Sequence, residues 1–211
     1  MEATAQDRPR RLTARGEATR DRIVSTANDL MLARGVAATT LEDVKTAAGV
    51  SKSQLYFHFP DKDSLVEAVV QFRAARVIAR EEHQLTRLNS IRGLERWRDA
   101  LVHTNASLNS AFGCGIGAMA SELADQNEDA RQVLQGVFTR WEQLLREGLQ
   151  RMADEGVLSP EADPGRLAIG LLAALQGGYL LAQTARDSEP MRIALDLAID
   201  HVRDFATANG S

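Results

Sequence analysis

The stretch "GVSKSQLYFHFPDKD", Gly49 to Asp63, decides how this chain is interpreted. It contains two of the three lysines, a histidine and three aromatic residues, although the formal net charge of the whole protein is −4. An acidic average alone argues against binding to nucleic acid. A short cationic and aromatic segment within such a chain indicates a local surface for a partner.

Capping signals in and before this stretch predict two short helices joined by a tight turn. The pairs Thr40–Asp43 and Ser51–Gln54 have the spacing of capping boxes, in which each side chain satisfies a backbone N–H of the other residue. Gly49 permits the sharp turn between the helices, and a proline ends the second helix because the residue before it is disfavoured in the α region. The layout is that of a helix-turn-helix.

The second of these helices has side chains suited to DNA. In a helix-turn-helix its N-terminal residues face the base edges of the major groove, and here they are Lys52, Ser53 and Gln54. Lysine donates to guanine, glutamine can bond adenine with two hydrogen bonds, and serine adapts to either base. Tyr56 and His58 follow at positions suited to phosphate oxygens.

Two further residues complete the predicted site. Lys62, near the start of the following helix, adds a positive charge where the helix dipole also favours an anion. Leu55 is expected to point into a three-helix core. The alternative is a routine turn in a small helical domain with a solvated lysine face. The prediction of DNA binding therefore depends on all of these residues together.

The segment "TRDRIVSTANDLMLARGVAATTLEDVKTAAGVSKSQLYFHFPDKDSLVEAVV", Thr19 to Val70, resembles the DNA-binding domain of TetR-family transcriptional repressors. The resemblance implies a homodimer that binds a palindromic operator and is released when a small molecule occupies the C-terminal domain. It also implies DNA contacts at Thr40, Lys52, Ser53, Gln54, Tyr56, His58 and Lys62. Further along, two stretches are similar to the C-terminal domain of the LmrA/YxaF-like branch: "GCGIGAMASELADQNEDARQVLQGVFTRWEQLLREGLQRMADEGVL" and "ADPGRLAIGLLAALQGGYLLAQTARD". Gly115-Ile116 stands where that branch commonly has a proline.

Apolar periods and caps predict helices over nearly all residues after Thr19, and no strand. The predicted fold is all-α, with about nine helices. A disordered basic arm is expected at 1–18, a three-helix N-terminal helix-turn-helix DNA-binding domain at 19–64, and a ligand-binding and dimerisation domain of about six helices at 65–211. Residues 1–60 hold nine basic residues against seven acidic ones, so the acidic excess belongs to the second domain.

The composition indicates a cytoplasmic protein. The single cysteine, Cys114, excludes an intrachain disulfide and fits a reducing compartment, and no apolar signal segment is found near the N-terminus. The segment Leu167–Ala185 carries no charge and is long enough to span a membrane. Its glutamines and three glycines favour a helix buried on several faces instead, so no membrane partner is expected.

A ligand-released regulator needs a cavity and a dimer interface that the ligand can bias. Small residues at four-residue steps in the uncharged helix suggest that it and the last helix pair with their symmetry mates in a four-helix bundle. The candidate interface residues are Gly170, Ala174, Gly178, Ala182, Leu195 and Ile199. Aromatic, methionine and a few polar side chains line drug-sized pockets, with ordinary core packing as the alternative for each. The candidate cavity residues are Trp97, Leu101, His103, Phe112, Cys114, Met119, Phe138, Trp141 and Gln176.

Other functional classes are less well supported by the sequence. The four histidines lack metal-ligand spacing, and no nucleotide-binding or nucleophile motif is found, so no enzyme, cofactor or metal is predicted. Cys114 is interpreted as a small buried hydrophobe, with redox sensing as the alternative. The predicted function is a homodimeric repressor released from operator DNA by a small lipophilic effector. A DNA-binding regulator or architectural protein without a ligand is the alternative.

Overall fold

The computed structural model describes residues 13–107 and 113–208. Nine α-helices make up most of these two ranges, and the only β-structure within them is an isolated antiparallel bridge between Leu158 and Ala206. The predicted all-α fold is confirmed. The helices are α1 (Ala14–Arg34), α2 (Leu41–Ala48), α3 (Lys52–His58), α4 (Lys62–Leu85), α5 (Ile91–Ser107), α6 (Gly115–Leu123), α7 (Glu128–Asp154), α8 (Pro164–Ala185) and α9 (Glu189–Arg203).

Local capping residues determine where most helices begin. The side chains of Asp61, Asn127 and Asp163 accept hydrogen bonds from backbone N–H groups in the first turns of α4, α7 and α8. These bonds satisfy donors that have no partner inside the helix. At the other end of α7, Gly156 has φ 71°, a conformation that glycine adopts without steric cost.

Helix α1 begins five residues before the predicted start at Thr19. Thr13 caps it by accepting a hydrogen bond of 3.2 Å from the N–H of Gly16, and Glu17 lies in the first turn, where the helix dipole favours a negative charge. This first turn is largely exposed, so the apolar period that revealed the rest of α1 could not reveal it. Residues 14–18 of the predicted arm are therefore helical, and residues 1–12 lie outside the described ranges.

Helix α4 continues through the predicted domain boundary between residues 64 and 65. The first half of α4 belongs to a buried cluster with α1, α2 and α3, and this cluster also includes Ile116, Met119 and Leu134 from α6 and α7. A second buried cluster joins the end of α4 to α5, the rest of α7, α8 and α9. Part of the C-terminal segment therefore packs into the N-terminal core, and the boundary between residues 64 and 65 stays a prediction.

Two buried charged residues on α4 connect different parts of the fold. Arg73 donates to the side-chain and backbone oxygens of Asn28 at 3.0 and 3.1 Å, and to the carbonyl of Gly115 at 2.8 Å. It therefore joins α1, α4 and the start of α6. Glu81 is fully buried, pairs with Arg80 at 2.8 Å and accepts a 2.9 Å hydrogen bond from Trp97 Nε1.

Helices α8 and α9 pack closely against each other. A Cβ atom added at Gly178 would lie 2.9 Å from the Cα of Met191, so only glycine allows this approach. Helix α8 is long and apolar enough to cross a membrane by length and composition, and 39% of its most apolar window is buried in the chain. Within the single chain α8 is buried on one face, and Ile169, Leu180 and Leu181 are exposed on its outer face. Burial on several faces stays a prediction.

Candidate nucleic-acid interface and small-molecule cavity

The predicted capping box that begins α3 is present. The Oγ of Ser51 accepts a hydrogen bond of 3.2 Å from the N–H of Gln54, and the Oε1 of Gln54 accepts one of 2.9 Å from the N–H of Ser51. Helix α3 ends at His58, and Phe59 before Pro60 is extended. Gly49, with φ 63°, forms the turn between α2 and α3. The helix-turn-helix geometry predicted from the sequence is confirmed.

Helix α3 presents almost its whole surface to solvent. Among its seven residues only Leu55 is buried, and no acidic residue lies in the first turn. Lys52, Ser53, Gln54, Tyr56 and Phe57 are exposed. Phe57, with 66% of its surface exposed, was not among the predicted contacts, although a short helix with one inward anchor leaves it no place in the core. The exposed side chains of α3 therefore include hydrogen-bond donors and aromatic rings that no other described helix covers.

The side chain of Gln54 has two competing roles. Its Oε1 atom already accepts the hydrogen bond of the capping box, whereas its Nε2 atom has no hydrogen-bond partner within the described ranges. Bonding to adenine through two hydrogen bonds requires both the oxygen and the nitrogen of the amide. The predicted base contact therefore requires either one hydrogen bond from Nε2 or an opening of the capping box, and it stays a prediction.

Thr40 stabilises the start of α2 in this structure. Its hydroxyl and N–H both donate to the carboxylate of Asp43, at 2.6 and 3.0 Å, and its Oγ1 accepts from the N–H of Asp43 at 3.1 Å. The hydrogen bonds from Thr40 lower the pKa of the Asp43 carboxyl, so a negative charge is held beside the hydroxyl. A phosphate contact by Thr40 stays a prediction, and this charge opposes it.

Lys62 and His58 also have internal contacts. The Nζ of Lys62 donates to the carbonyl of Ala37 at 3.1 Å, in the loop between α1 and α2. Burial, reinforced by the positive charge of Arg20, lowers the pKa of His58. A phosphate would therefore meet an imidazole that favours its neutral form and can contribute an N–H donor rather than a full charge. Both phosphate contacts stay predictions.

The loop that precedes α2 is held by α6. The two carboxylate oxygens of Glu122 accept hydrogen bonds from the N–H groups of Val36 and Ala37, at 2.9 and 3.0 Å. Gly35, at φ 84°, turns the chain into this arrangement. Because Lys62 bonds the carbonyl of Ala37, the same loop is contacted from both α4 and α6. A displacement of α6 would therefore break or shift hydrogen bonds to the loop that leads into the helix-turn-helix.

A cavity of about 400 Å³ lies between α6, α7 and α8. Three predicted residues, Cys114, Phe138 and Gln176, come together in its wall. The amide nitrogen of Gln176 is buried and makes no hydrogen bond of normal geometry within the part of the chain that the structure describes. The remaining lining residues are Gly117, Ala118, Ala120, Ser121, Gly177, Tyr179, Leu180 and Gln183.

The other predicted cavity residues do not line this space. Leu101, Met119 and Trp141 are at most 2% exposed and belong to the two buried clusters, so the core-packing alternative holds for them. Trp97 lies in the wall of a different cavity, and His103 is exposed. Phe112 lies outside the described residues. Large apolar side chains at helical spacing fill cores and pockets alike, so the sequence pattern could not separate the two.

Burial shifts the pKa values of two ionisable groups in the cavity wall. It raises the pKa of the Cys114 thiol and the pKa of the Tyr179 hydroxyl. The thiolate is the nucleophilic form of cysteine, so Cys114 has the character of a small buried hydrophobe. Tyr179 was missed by the sequence interpretation, because one tyrosine in an apolar helix gives no signal of the direction in which it points.

The predicted dimer residues require correction. Gly178, Ala182, Leu195 and Ile199 are buried inside the chain, and Gly178 lies against Met191 of α9. Of the residues at four-residue steps, Gly178 and Ala182 therefore lie on the inner face of α8, whereas Ala174 is only partly buried. Gly170 is exposed, and no atom lies within 4 Å of a Cβ added there. The residues left open to solvent, named here the exposed apolar face, are Ile169, Leu180 and Leu181 on α8 with Ile193 and Leu197 on α9.

Two protein-family models match the chain. Residues 23–69 match the model described as bacterial regulatory proteins of the tetR family, which covers α2, α3, the second half of α1 and the start of α4. Residues 90–196 match the model described as the C-terminal domain of LmrA/YxaF-like transcriptional regulators. The second match includes every element of the cavity wall.

Individual relatives agree with these matches. An uncharacterised HTH-type transcriptional regulator of Mycobacterium tuberculosis is 29% identical over 199 residues, which cover 90% of this chain and 94% of the relative. The HTH-type transcriptional repressor DhaR of Mycobacterium sp. strain GP1 is 25% identical, with 82% and 86% covered. The crystal structure of a TetR transcriptional regulator from Chloroflexus aurantiacus has a TM-score of 0.81 at 26% identity, with 92% and 98% covered.

Proposed function

The chain belongs to the TetR family of bacterial transcriptional regulators, and we propose that it is a cytoplasmic homodimeric repressor that a small lipophilic effector releases from palindromic operator DNA. The single observation that carries DNA recognition is the unpartnered face of α3, in which six of seven residues are not buried. The similarity to DhaR, which is named a transcriptional repressor, supports the direction of regulation.

The exposed apolar face supports the dimer. Five large aliphatic side chains lie open to solvent on two adjacent helices, and contiguous exposed apolar surface marks association sites. Pairing of α8 and α9 with their symmetry mates would cover this face and form a four-helix bundle. A two-fold axis would then place two copies of α3 on half-sites about 34 Å or more apart, one or more turns of DNA.

Helix α6 supports the release by an effector. Its first turn forms part of the cavity wall beside Cys114, and Glu122 near its end holds the loop before α2. Arg73 ties the same first turn to Asn28 of α1. An effector that displaces α6 would therefore disturb two hydrogen-bonded contacts with the DNA-binding helices. Its binding energy would favour the arrangement that does not fit the operator.

DNA recognition is tested by measuring operator affinity as a function of sequence and salt. We expect Gln54→Ala to relax the base preference at one position of each half-site, and Lys62→Ala to weaken binding to all sequences and reduce the salt slope. Arg92→Ala, which removes an exposed positive charge from α5, is the control and should leave both quantities unchanged. Equal loss on every sequence for Gln54→Ala would contradict its base-reading role.

Release by a ligand separates the proposed repressor from a DNA-binding protein without an effector. Lipophilic compounds are screened by thermal shift, and the stabilising ones are added to the protein–operator complex. Stabilising compounds should lower operator affinity. In Gly117→Val the added side chain would point at Gln176, whose Oε1 lies 2.8 Å from the added Cβ, so this variant should bind those compounds less tightly. Compounds that stabilise the protein without affecting DNA would contradict an effector role.

A further inference from the structure

A second cavity, of about 390 Å³, lies between the end of α4 and the start of α5. It is separate from the cavity beside Cys114 and shares no lining residue with it. Its apolar wall consists of Leu88, Gly93, Trp97 and Ala100. The remaining lining residues are polar or cationic: His83, Gln84, Arg87 and Arg96. No carboxylate contributes to the wall, although the protein as a whole is acidic.

The two arginines of this cavity have no carboxylate or carbonyl partner within the described ranges. Most arginines of α4 to α9 form ion pairs or bond backbone carbonyls, as Arg98 does with Asp196 and Arg151 does with the carbonyls of Leu85 and Leu88. Arg87 and Arg96 make neither kind of contact within the described ranges. Two unpaired guanidinium groups beside one cavity create a site of positive potential, which an anion would stabilise.

The rest of the wall defines what kind of anion fits. Trp97 and Leu88 offer an apolar surface. Gly93 has no side chain that would push Leu88 aside, since a Cβ added there would lie 2.8 Å from Leu88 Cδ1. The Oε1 atom of Gln84 is a buried acceptor with no partner among the described residues, so it can accept a hydrogen bond from a ligand hydroxyl. An inorganic anion would use only the arginines, whereas an aromatic hydroxy acid would use all three features.

The location excludes operator DNA as the anion. His83 lies 21 residues after Lys62 in the continuous helix α4, which places the cavity about 30 Å from the DNA-binding end at 1.5 Å per residue. A duplex bound at α3 therefore does not reach Arg87 or Arg96. Operator DNA is therefore not the partner of the positive charge at this end of the molecule.

We propose that the cavity between α4 and α5 is a binding site for small aromatic or aliphatic carboxylates that carry a hydroxyl group. The carboxylate is held by Arg87 and Arg96, the hydrocarbon part lies against Leu88 and Trp97, and the hydroxyl donates to Gln84. Trp97 donates to Glu81, which pairs with Arg80 near Tyr179 of the first cavity. This chain of contacts connects the two cavities.

The experiment uses 3-hydroxy-2-naphthoate as the probe and its methyl ester as a neutral probe of nearly the same shape. Binding is measured by calorimetry with the wild-type protein, Arg87→Ala/Arg96→Ala and Arg92→Ala. Arg92 is the matched control, since it is an exposed arginine on α5 that does not line the cavity. All three side chains are on the surface, so the variants should fold.

We expect the wild-type protein to bind the acid at least tenfold more tightly than the ester, because hydrogen bonds to a charged group are the stronger kind. The double variant should lose this preference, whereas Arg92→Ala should keep the wild-type affinity within about twofold. Unchanged affinity in the double variant would mean that the probe binds elsewhere, for example beside Cys114, and would overturn the proposal. Absence of binding to the wild-type protein at millimolar probe would overturn it as well.

Discussion

Helices α3 and α8 both expose apolar side chains, but their positions are determined by different kinds of interaction. Helix α3 is seven residues long, and its position follows from a capping box at Ser51, a glycine turn before it and a proline after it. Helix α8 has 22 residues, and its orientation follows from contacts with α7 and α9. Signals for α3 lie within fifteen residues of sequence, whereas those for α8 are distributed over two other helices.

The difference shows what an exposed apolar residue means in each region. Phe57 is exposed because α3 is too short to bury more than Leu55. Leu180 and Leu197 are exposed although other apolar residues of α8 and α9 are buried on the inner faces of these helices. The first case is consistent with a surface for DNA, and the second with a surface for another copy of the chain. Substitutions in each region distinguish these two interpretations.

The largest effect is expected on the exposed apolar face. Leu197→Asp places a charge at the centre of the proposed dimer interface, and burying it without a partner costs several kcal/mol. We expect the dimer dissociation constant to rise at least 100-fold, as measured by analytical ultracentrifugation, and operator binding to fall with it. Ala106→Asp, at an exposed position of α5, is the control. An unchanged dimer in Leu197→Asp would show that the face has another occupant.

The sequence could predict those parts of the fold that have local causes. The capping boxes at Thr40 and Ser51 and the turn at Gly49 each depend on one or two neighbouring residues, and their predictions are confirmed. The family resemblance and the all-α fold could also be predicted, because they need only the order of such signals. The start of α1 was missed because its first turn is polar and exposed.

The inner and outer faces of the C-terminal helices could not be predicted in the same way. Glycine and alanine at four-residue steps in α8 indicate close packing, but they do not indicate whether α9 of the same chain or a second chain provides the contact. In the structure Gly178 contacts Met191 of the same chain. Trp141 and Phe138 have similar chemistry, yet only Phe138 lines the cavity beside Cys114.

The packing of α8 on α9 predicts the next largest effect. Gly178→Ala would place a methyl group 2.9 Å from the Cα of Met191, so the two helices must separate. We expect the free energy of unfolding to fall by about 2 kcal/mol in urea denaturation, within the usual range for overpacked cores. Gly136→Ala is the matched control, because no atom lies within 4 Å of the added methyl group on α7.

That control has its own expected sign. Alanine is favoured over glycine inside a helix, so Gly136→Ala should raise the free energy of unfolding by up to about 1 kcal/mol. Equal effects of Gly136→Ala and Gly178→Ala would contradict the close contact between α8 and α9. In that case α8 would be oriented by its own sequence, as α3 is.

The turn before α3 predicts a smaller loss. Gly49 has φ 63°, and no atom lies within 4 Å of an added Cβ, so Gly49→Ala introduces backbone strain without a clash. Left-handed backbone costs an L-residue about 1–2 kcal/mol, partly offset by the lower entropy of the unfolded chain. We expect a net loss of about 1 kcal/mol in urea denaturation. A loss as large as that of Gly178→Ala would indicate packing at the turn that the structure does not contain.

The smallest expected effect concerns the pH dependence of stability at the end of α3. Because burial lowers the pKa of His58 below its usual value near 6.5, the folded protein resists protonation of this imidazole more than the unfolded chain does. The stabilising contribution is complete above about pH 6.5 and is lost as the pH falls towards the lower pKa of the folded state. Wild-type protein should therefore lose more stability between pH 7 and pH 5 than His58→Gln.

Urea denaturation at the two pH values measures this difference, and His103→Gln, an exposed histidine of α5, controls for the loss of one imidazole. If His58→Gln had the same pH dependence as the wild-type protein, the imidazole would be freely solvated, and the neutral form inferred for it at the DNA-binding surface would be wrong. The result bears on the comparison of the two helices, because His58 is the one predicted DNA contact on α3 that the fold itself partly buries. If protonation destabilises the fold here, the end of α3 depends on tertiary packing, as α8 does. Only the first turn of α3 is then determined by neighbouring residues in the sequence.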